Sequence, residues 1–245
     1  MSAPIMNLDD DLHLLMSGGL GFDLTDPLDC NVYLVRAGDG WLMFDAGAGR
    51  SAAAVLDGLD GITIKALFLT HGHADHSAGA AAVRLRLGLP VLAGAATAKM
   101  VTAGDEAAIS LLAAKAAGGY PADFAYAACP VDRVLDDGEA VAFGAVRVTA
   151  VATPGHSHDH MSYLVETGTR RMLVSGDALF HGGRVGVQDV YDCSVPQICA
   201  SVRRLAGLEF EVLLPGHGAF SLRDGRRHAE AAMGYVERMA CPPSI

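Results

Sequence analysis

The densest chemistry in this chain lies in seven residues, Thr70-His71-Gly72-His73-Ala74-Asp75-His76. Three histidines and an aspartate fall within six positions, directly after an apolar run at 64–70. In an extended chain His71 and His73 point to the same face, because side chains alternate. A turn straight after the strand then brings Asp75 and His76 to an adjacent position. Imidazole and carboxylate are the usual ligands of zinc or a similar first-row metal ion.

A histidine-rich polar loop is the plain alternative, and four other stretches speak against it. Phe44-Asp45-Ala46-Gly47, Thr153-Pro154-Gly155-His156-Ser157, Ser175-Gly176-Asp177 and Pro215-Gly216-His217-Gly218 each put one His or Asp where an apolar strand meets a glycine turn. Glycine lets the backbone turn sharply, so the side chain projects over the sheet edge. A lone His after Pro-Gly is an ordinary loop residue. Five such strand ends in one chain are a pattern.

The elements that must position these residues alternate between short strands and helices. Strands are expected at 31–36 and 41–44, joined by a Gly-Asp-Gly turn, and at 64–70, 146–152, 162–166, 172–175 and 212–214. Helices are expected at 51–59, 77–87, 105–117, 195–205 and 223–239. The strands form two groups, each followed by helical segments. That pattern implies two packed sheets with helices outside, in a single domain over residues 1–245. No linker, repeat or low-complexity tract divides the chain.

Composition narrows the functions. The chain has 245 residues, of which 51% are hydrophobic and 19% charged, so it is globular rather than disordered. The net charge of −10 argues against a nucleic-acid partner, which requires clustered Lys and Arg. No window offers the uninterrupted apolar run of a membrane span. Residues 1–11 carry no basic residue and do not read as a secretion signal. Five cysteines, an odd number without CxxC spacing, form neither a disulfide framework nor a thiolate zinc cage. A cytoplasmic protein acting on a small molecule is the expectation, and the apolar surplus is compatible with a homodimer.

On these five motifs, spanning Asp45 to His217, the chain resembles the metallo-β-lactamase-fold superfamily of metal-dependent hydrolases. The resemblance implies an α+β fold, a four-layer αββα sandwich. Carried over by position, it implies that His71, His73 and His156 hold a first metal ion. Asp75, His76 and His217 then hold a second, and Asp177 bridges the two. Asp45 and His160 are implied as residues that orient the ligands. The cofactor implied is a pair of divalent ions, zinc, with iron or manganese also suited to these donors. The implied mechanism is attack of a metal-bridging hydroxide on the carbonyl of a small ester, lactone or thioester, with Asp75 as the catalytic group that orients it and shuttles its proton.

Departures from the family's branches bear on substrate. An acidic residue at Asp177 points away from true β-lactamases. Acyl-homoserine lactonases commonly carry a tyrosine three residues after this aspartate, where Phe180 stands here. The run Gly176 to Phe180 is similar to glyoxalase II, a thioesterase. The 28 residues after His217 are too few for that enzyme's C-terminal helical domain, so glutathione specificity is not expected. Residues 95–130, with Tyr120, Phe124 and Tyr126, read as a lid insertion over the site. Tyr120, Phe180, His181 and Tyr191 are candidates to line the substrate pocket, whereas His228 reads as a solvated residue of the closing helix. The alternative from another reaction class is a mononuclear-iron persulfide dioxygenase of the same fold, with iron on His71, His156 and Asp177.

Overall fold

The computed structural model describes residues 5–59 and 61–245. The first four residues of the segment expected to lack a secretion signal lie outside them. The chain forms two compact units, Met1–Leu135 and Asp136–Ile245.

The first unit is a seven-stranded sheet whose strands lie in sequence order: β1 (Met6–Asp9), β2 (Leu12–Met16), β3 (Val32–Ala37), β4 (Gly40–Phe44), β5 (Ile64–Leu69), β6 (Val91–Gly94) and β7 (Arg133–Leu135). The first four pair antiparallel, and β4 to β7 pair parallel. A two-residue connection joins β3 to β4, with Ala37 opposite Gly40 and Gly38 at a φ of +67°. Asn or Gly at such a position gives the turn the hand of twist the strands need. Parallel pairs need longer crossovers. These hold α1 (Ala52–Leu56), α2 (Ala74–Ser77), α3 (Ala80–Leu87), α4 (Ala95–Ala103) and α5 (Leu111–Ala116). Every residue of β4 is buried, as expected for a central strand of a covered sheet. Leu34, Met43, Leu67, Leu69, Val83 and Val91 form its apolar core.

The second unit is a five-stranded sheet in the order β12-β11-β10-β9-β8. Its strands are β8 (Ala140–Phe143), β9 (Val146–Ala152), β10 (Met161–Glu166), β11 (Arg171–Gly176) and β12 (Val212–Pro215). Only β11 and β12 pair parallel, and the crossover between them carries α6 (Val195–Ala206). A closing helix, α7 (Arg226–Glu237), follows. Ile198, Val202 and Leu205 recur at helical spacing on α6 and are buried with Leu173, Leu213 and Ala229.

Three expectations need correcting. The helix expected at 77–87 is α3, starting at Ala80, preceded by the separate α2 that ends at Ser77. They break at Gly79, where a Cβ would come within 2.0 Å of the Ala46 carbonyl oxygen. The helix expected at 105–117 begins only at Leu111. The Asp105 carboxylate accepts the Ala107 and Ala108 N–H groups at 3.1 and 3.0 Å, and Ser110 sits at a φ of +58°. Both features compete with helix. His228 does lie on α7 but is 3% exposed, not solvated. Strands β1, β2, β6, β7 and β8 and helix α4 were not expected from the pattern. They have three to nine residues, short for a periodic signal.

Candidate metal-binding groups

The N-terminal donor group is built at the carboxyl ends of two neighbouring parallel strands. Phe44 of β4 pairs with Phe68 of β5, so the residues that follow each strand emerge side by side. The Asp45 N–H donates to the Phe68 carbonyl at 2.8 Å. Asp45 takes a φ of +61°, a left-handed conformation that costs energy for a side-chain-bearing residue and is tolerated best by Asp and Asn. That conformation is coupled to a dense network. The Asp45 carboxylate accepts the Thr70 N–H at 2.8 Å and the Thr70 hydroxyl at 2.9 Å, and lies 2.8 Å from His76 Nδ1. Thr70 Oγ1 lies 3.0 Å from His71 Nδ1. Asp45 and Thr70 thus position two of the three histidines.

His71, His73 and His76 are all buried, and their rings cluster. Centroids lie 4.6 Å apart for His71–His73 and 4.2 Å for His71–His76. Asp75 follows on α2, and its Oδ2 is 3.5 Å from His76 Nε2. The Ser77 hydroxyl donates to the Gly72 carbonyl at 2.8 Å and ties the turn together.

The C-terminal donor group comes from three strand ends. His156 follows β9, Asp177 follows β11 and His217 follows β12. All three are buried. Asp177 Oδ2 is 3.4 Å from His156 Nε2 and 3.4 Å from His217 Nε2. The opposite edge of His156 is held by the Gly186 carbonyl, 3.2 Å from Nδ1. Gly186 is needed there, since a Cβ would fall 2.5 Å from that nitrogen. His160 behaves differently from the others. Its Nε2 accepts the Asp177 N–H at 3.0 Å, so its proton sits on Nδ1 and goes to Thr153 Oγ1 at 2.9 Å. With Nε2 occupied, His160 positions the Asp177 backbone.

These distances test whether the residues fit metal ions. A charge-assisted N–H···O bond is about 2.7–2.9 Å long. His76 Nδ1 and Asp45 meet at such a distance, whereas the Nε2 edges face carboxylate oxygens at 3.4–3.5 Å. Donors about 2.0–2.1 Å from a tetrahedral ion lie about 3.3–3.4 Å from one another. The Nε2 edges of His76, His156 and His217 are therefore spaced like donors that share an ion, and the Nδ1 edges of His76 and His156 are hydrogen-bonded to protein. That division is how metal-ligating histidines are held. The donor set, imidazole with carboxylate, fits zinc, iron or manganese.

Cys30 is a residue the sequence left without a role. Its Sγ, an Asp45 oxygen and a His76 nitrogen lie within 4.8 Å of one another. Burial pushes the Cys30 thiol up to about 12, so it stays neutral beneath His76. Thr70, Thr153 and Gly186 were also not foreseen as positioning residues. The two threonines each precede or end a motif with a hydroxyl at a strand terminus, which is the one signal available for them.

The candidate pocket residues are placed as follows. Tyr120 is half-buried, and its hydroxyl donates to Asp75 Oδ1 at 3.2 Å. Burial, with the Asp75 charge added to it, pushes this phenol well above its ordinary range. Phe180 is buried, its ring centroid 6.3 Å from that of His217. His181 is exposed and its ring lies 4.4 Å from that of His228. Tyr191 is 67% exposed, 6.1 Å ring to ring from His158. A cavity of about 380 Å³ in the N-terminal unit is lined by Ala48, Arg50, Ala78, Ala82, Asp123 and Phe124, and holds none of the candidate ligands. Among the described residues no helix is long and apolar enough to cross a membrane.

Comparison with known proteins was made on sequence and on fold. The profile of the metallo-beta-lactamase superfamily matches residues 25–217. The atrochrysone carboxyl ACP thioesterase of Aspergillus fumigatus is 28% identical over 77% of this chain and 50% of its own length. A hydroxyacylglutathione hydrolase of a Marinomonas species is 26% identical over 67% of this chain and 51% of its own length. The chain thus spans about half the length of these two relatives. A metallo-beta-lactamase from Cronobacter sakazakii superposes with a TM-score of 0.71 at 20% identity, covering 96% of both chains.

Proposed function

This chain belongs to the metallo-beta-lactamase superfamily, and on that premise we propose that it is a dinuclear metal-dependent hydrolase of a small ester, lactone or thioester. The observation that carries the reading is Asp177 Oδ2, 3.4 Å from the Nε2 atoms of two different histidines. One carboxylate oxygen so placed suits a bridge between two ions. By the family resemblance, His71, His73 and His156 would hold a first ion, and Asp75, His76 and His217 a second. Bound divalent ions supply Lewis-acid polarisation of a carbonyl and acidify water towards neutral pH.

The protein's own groups do the rest. Asp45 and Thr70 fix the tautomers of His76 and His71 by occupying Nδ1. Gly186 does the same for His156. His160 holds the backbone of Asp177. The Asp75 carboxylate would orient the attacking water and take its proton. Two relatives that act on thioesters by name, a carboxyl ACP thioesterase and a hydroxyacylglutathione hydrolase, favour a thioester over a lactone.

The test is metal content per chain, followed by a panel of acyl thioesters and lactones with the zinc-loaded protein. Two ions per chain and thioester hydrolysis abolished by a chelator are the expected result. One iron per chain, with oxygen consumption on a persulfide, would overturn it in favour of a dioxygenase.

A further inference from the structure

We infer that Tyr120 is a positioning residue for the second metal ion, holding Asp75 Oδ1 so that Oδ2 is presented beside His76 Nε2. The inference rests on the dinuclear reading above and deepens it. Its basis is a chain of contacts within the N-terminal unit. The Tyr120 hydroxyl donates to Asp75 Oδ1 at 3.2 Å, while Asp75 Oδ2 faces His76 Nε2 at 3.5 Å. A carboxylate is planar, so a bond to one oxygen fixes the direction of the other. Held in this way, Asp75 offers an ion one oxygen rather than two.

Tyr120 is itself held. Its ring packs edge-on against Phe124, with centroids 4.9 Å apart and planes 71° apart. Phe124 is buried among Ala48, Ala74, Ala78 and Ile109. A second tyrosine of the same stretch grips the other end of α2. Tyr126 Oη is 2.8 Å from Ser77 Oγ. Ser77 gives its one hydroxyl proton to the Gly72 carbonyl, which makes Tyr126 the donor. Two phenols from residues 120–126 therefore brace the four-residue helix that carries Asp75 and His76. The segment expected as a lid makes these bracing contacts with the motif.

The experiment is zinc titration of metal-free protein against a chromophoric chelator, for the wild type, Tyr120→Phe and Phe124→Leu. For Tyr120→Phe the weaker of the two affinities should fall by about 10- to 100-fold, the usual cost of losing a group that orients a ligand. The tighter affinity and the melting temperature of the metal-free protein should not change. Phe124→Leu, which keeps the hydroxyl but loosens the ring that carries it, should lower the same affinity by a smaller factor and leave the tighter one unchanged. Unchanged affinities in Tyr120→Phe overturn the inference and leave the dinuclear reading standing. Equal loss of both affinities with a lower melting temperature also overturns it, because the role is then structural. If the wild type takes up fewer than two ions, the dinuclear reading falls and this inference falls with it.

Discussion

The two donor groups are built by opposite means. In the N-terminal unit four candidate ligands lie within six consecutive residues, and one buried aspartate beneath them, Asp45, ties the turn to the next strand. In the C-terminal unit three candidate ligands come from three strands spread over about sixty residues, and no two share a turn. The first group gets its order from local hydrogen bonds among side chains. The second gets it from sheet register, with glycines admitting the candidate donors. Gly155, at a φ of +142°, lets the chain pass where a Cβ would sit 2.4 Å from the Ile198 nitrogen, and His156 follows it. A local network and a dispersed one should fail differently.

The largest effect is expected where a proposed ligand is lost. Asp177→Ala removes the oxygen that faces both His156 and His217. A loss of about 10³-fold or more in kcat/KM is expected, since Lewis-acid stabilisation is worth several kcal/mol. Metal analysis should find fewer than two ions in this variant. Retention of two ions with near-normal rates would remove the bridging role.

Asp45→Asn sharpens the local half of the comparison. It keeps the size but exchanges one acceptor for a donor against His76 Nδ1 and Thr70. Metal affinity should fall about 10- to 100-fold, measured by chelator competition. If His76 were held by packing alone, the affinity would not move.

Gly186→Ala probes the dispersed half. The new methyl would meet His156 Nδ1 at 2.5 Å and displace the ring. A weakening of about tenfold in metal affinity is expected, at the lower end of the range for groups that orient a ligand. The N-terminal group should be untouched, as read from histidine NMR shifts of the metal-free protein. Loss confined to His71 and His76 signals would contradict the assignment.

The smallest effect concerns stability rather than metal. Burial lowers the His228 pKa to about 4, from an ordinary value of 6.5. Its Nδ1 accepts the Gly182 N–H at 2.9 Å, and Nε2 lies 2.7 Å from Ser221 Oγ. With Nδ1 an acceptor, the ring proton sits on Nε2 and goes to Ser221, so this pair is no activated nucleophile. Between pH 6.5 and 4 the unfolded chain binds a proton that the folded chain refuses. Stability from this group is therefore complete above about pH 6.5 and declines as pH falls towards 4. Melting temperature against pH should show this slope in the wild type and a flatter one in His228→Gln. Parallel curves would remove the assignment.

How legible each region was follows from the same contrast. The motif Thr70 to His76 was readable because its candidate donors are neighbours in the chain, and strand alternation already places His71 and His73 together. The strand ends at Asp45, His156, Asp177 and His217 were readable as a pattern of apolar run, glycine and donor. Membership of the superfamily and its fold were legible from those motifs together. Helix limits were less so. Asp105 and Ser110 delay α5 through side-chain hydrogen bonding and a left-handed backbone, and neither shows in composition. Residues 95–130 read as a lid. The structure has α4 and α5 there, then Tyr120 and Tyr126 bonded to Asp75 and Ser77.

The order of residues was enough to give the donor types and their strand-end positions. It did so because imidazole, carboxylate and glycine have few other reasons to recur together at strand ends. Folding settled how the ring nitrogens of His76, His156 and His160 are held. That depends on partners 31 residues away for His76, 30 for His156 and 17 for His160. It also decided that His228 is buried and neutral and that Tyr120 reaches Asp75 across 45 residues of chain. A hydrogen bond needs its two atoms within about 3 Å. Distance along the chain carries no information about that separation until strands pair and helices pack.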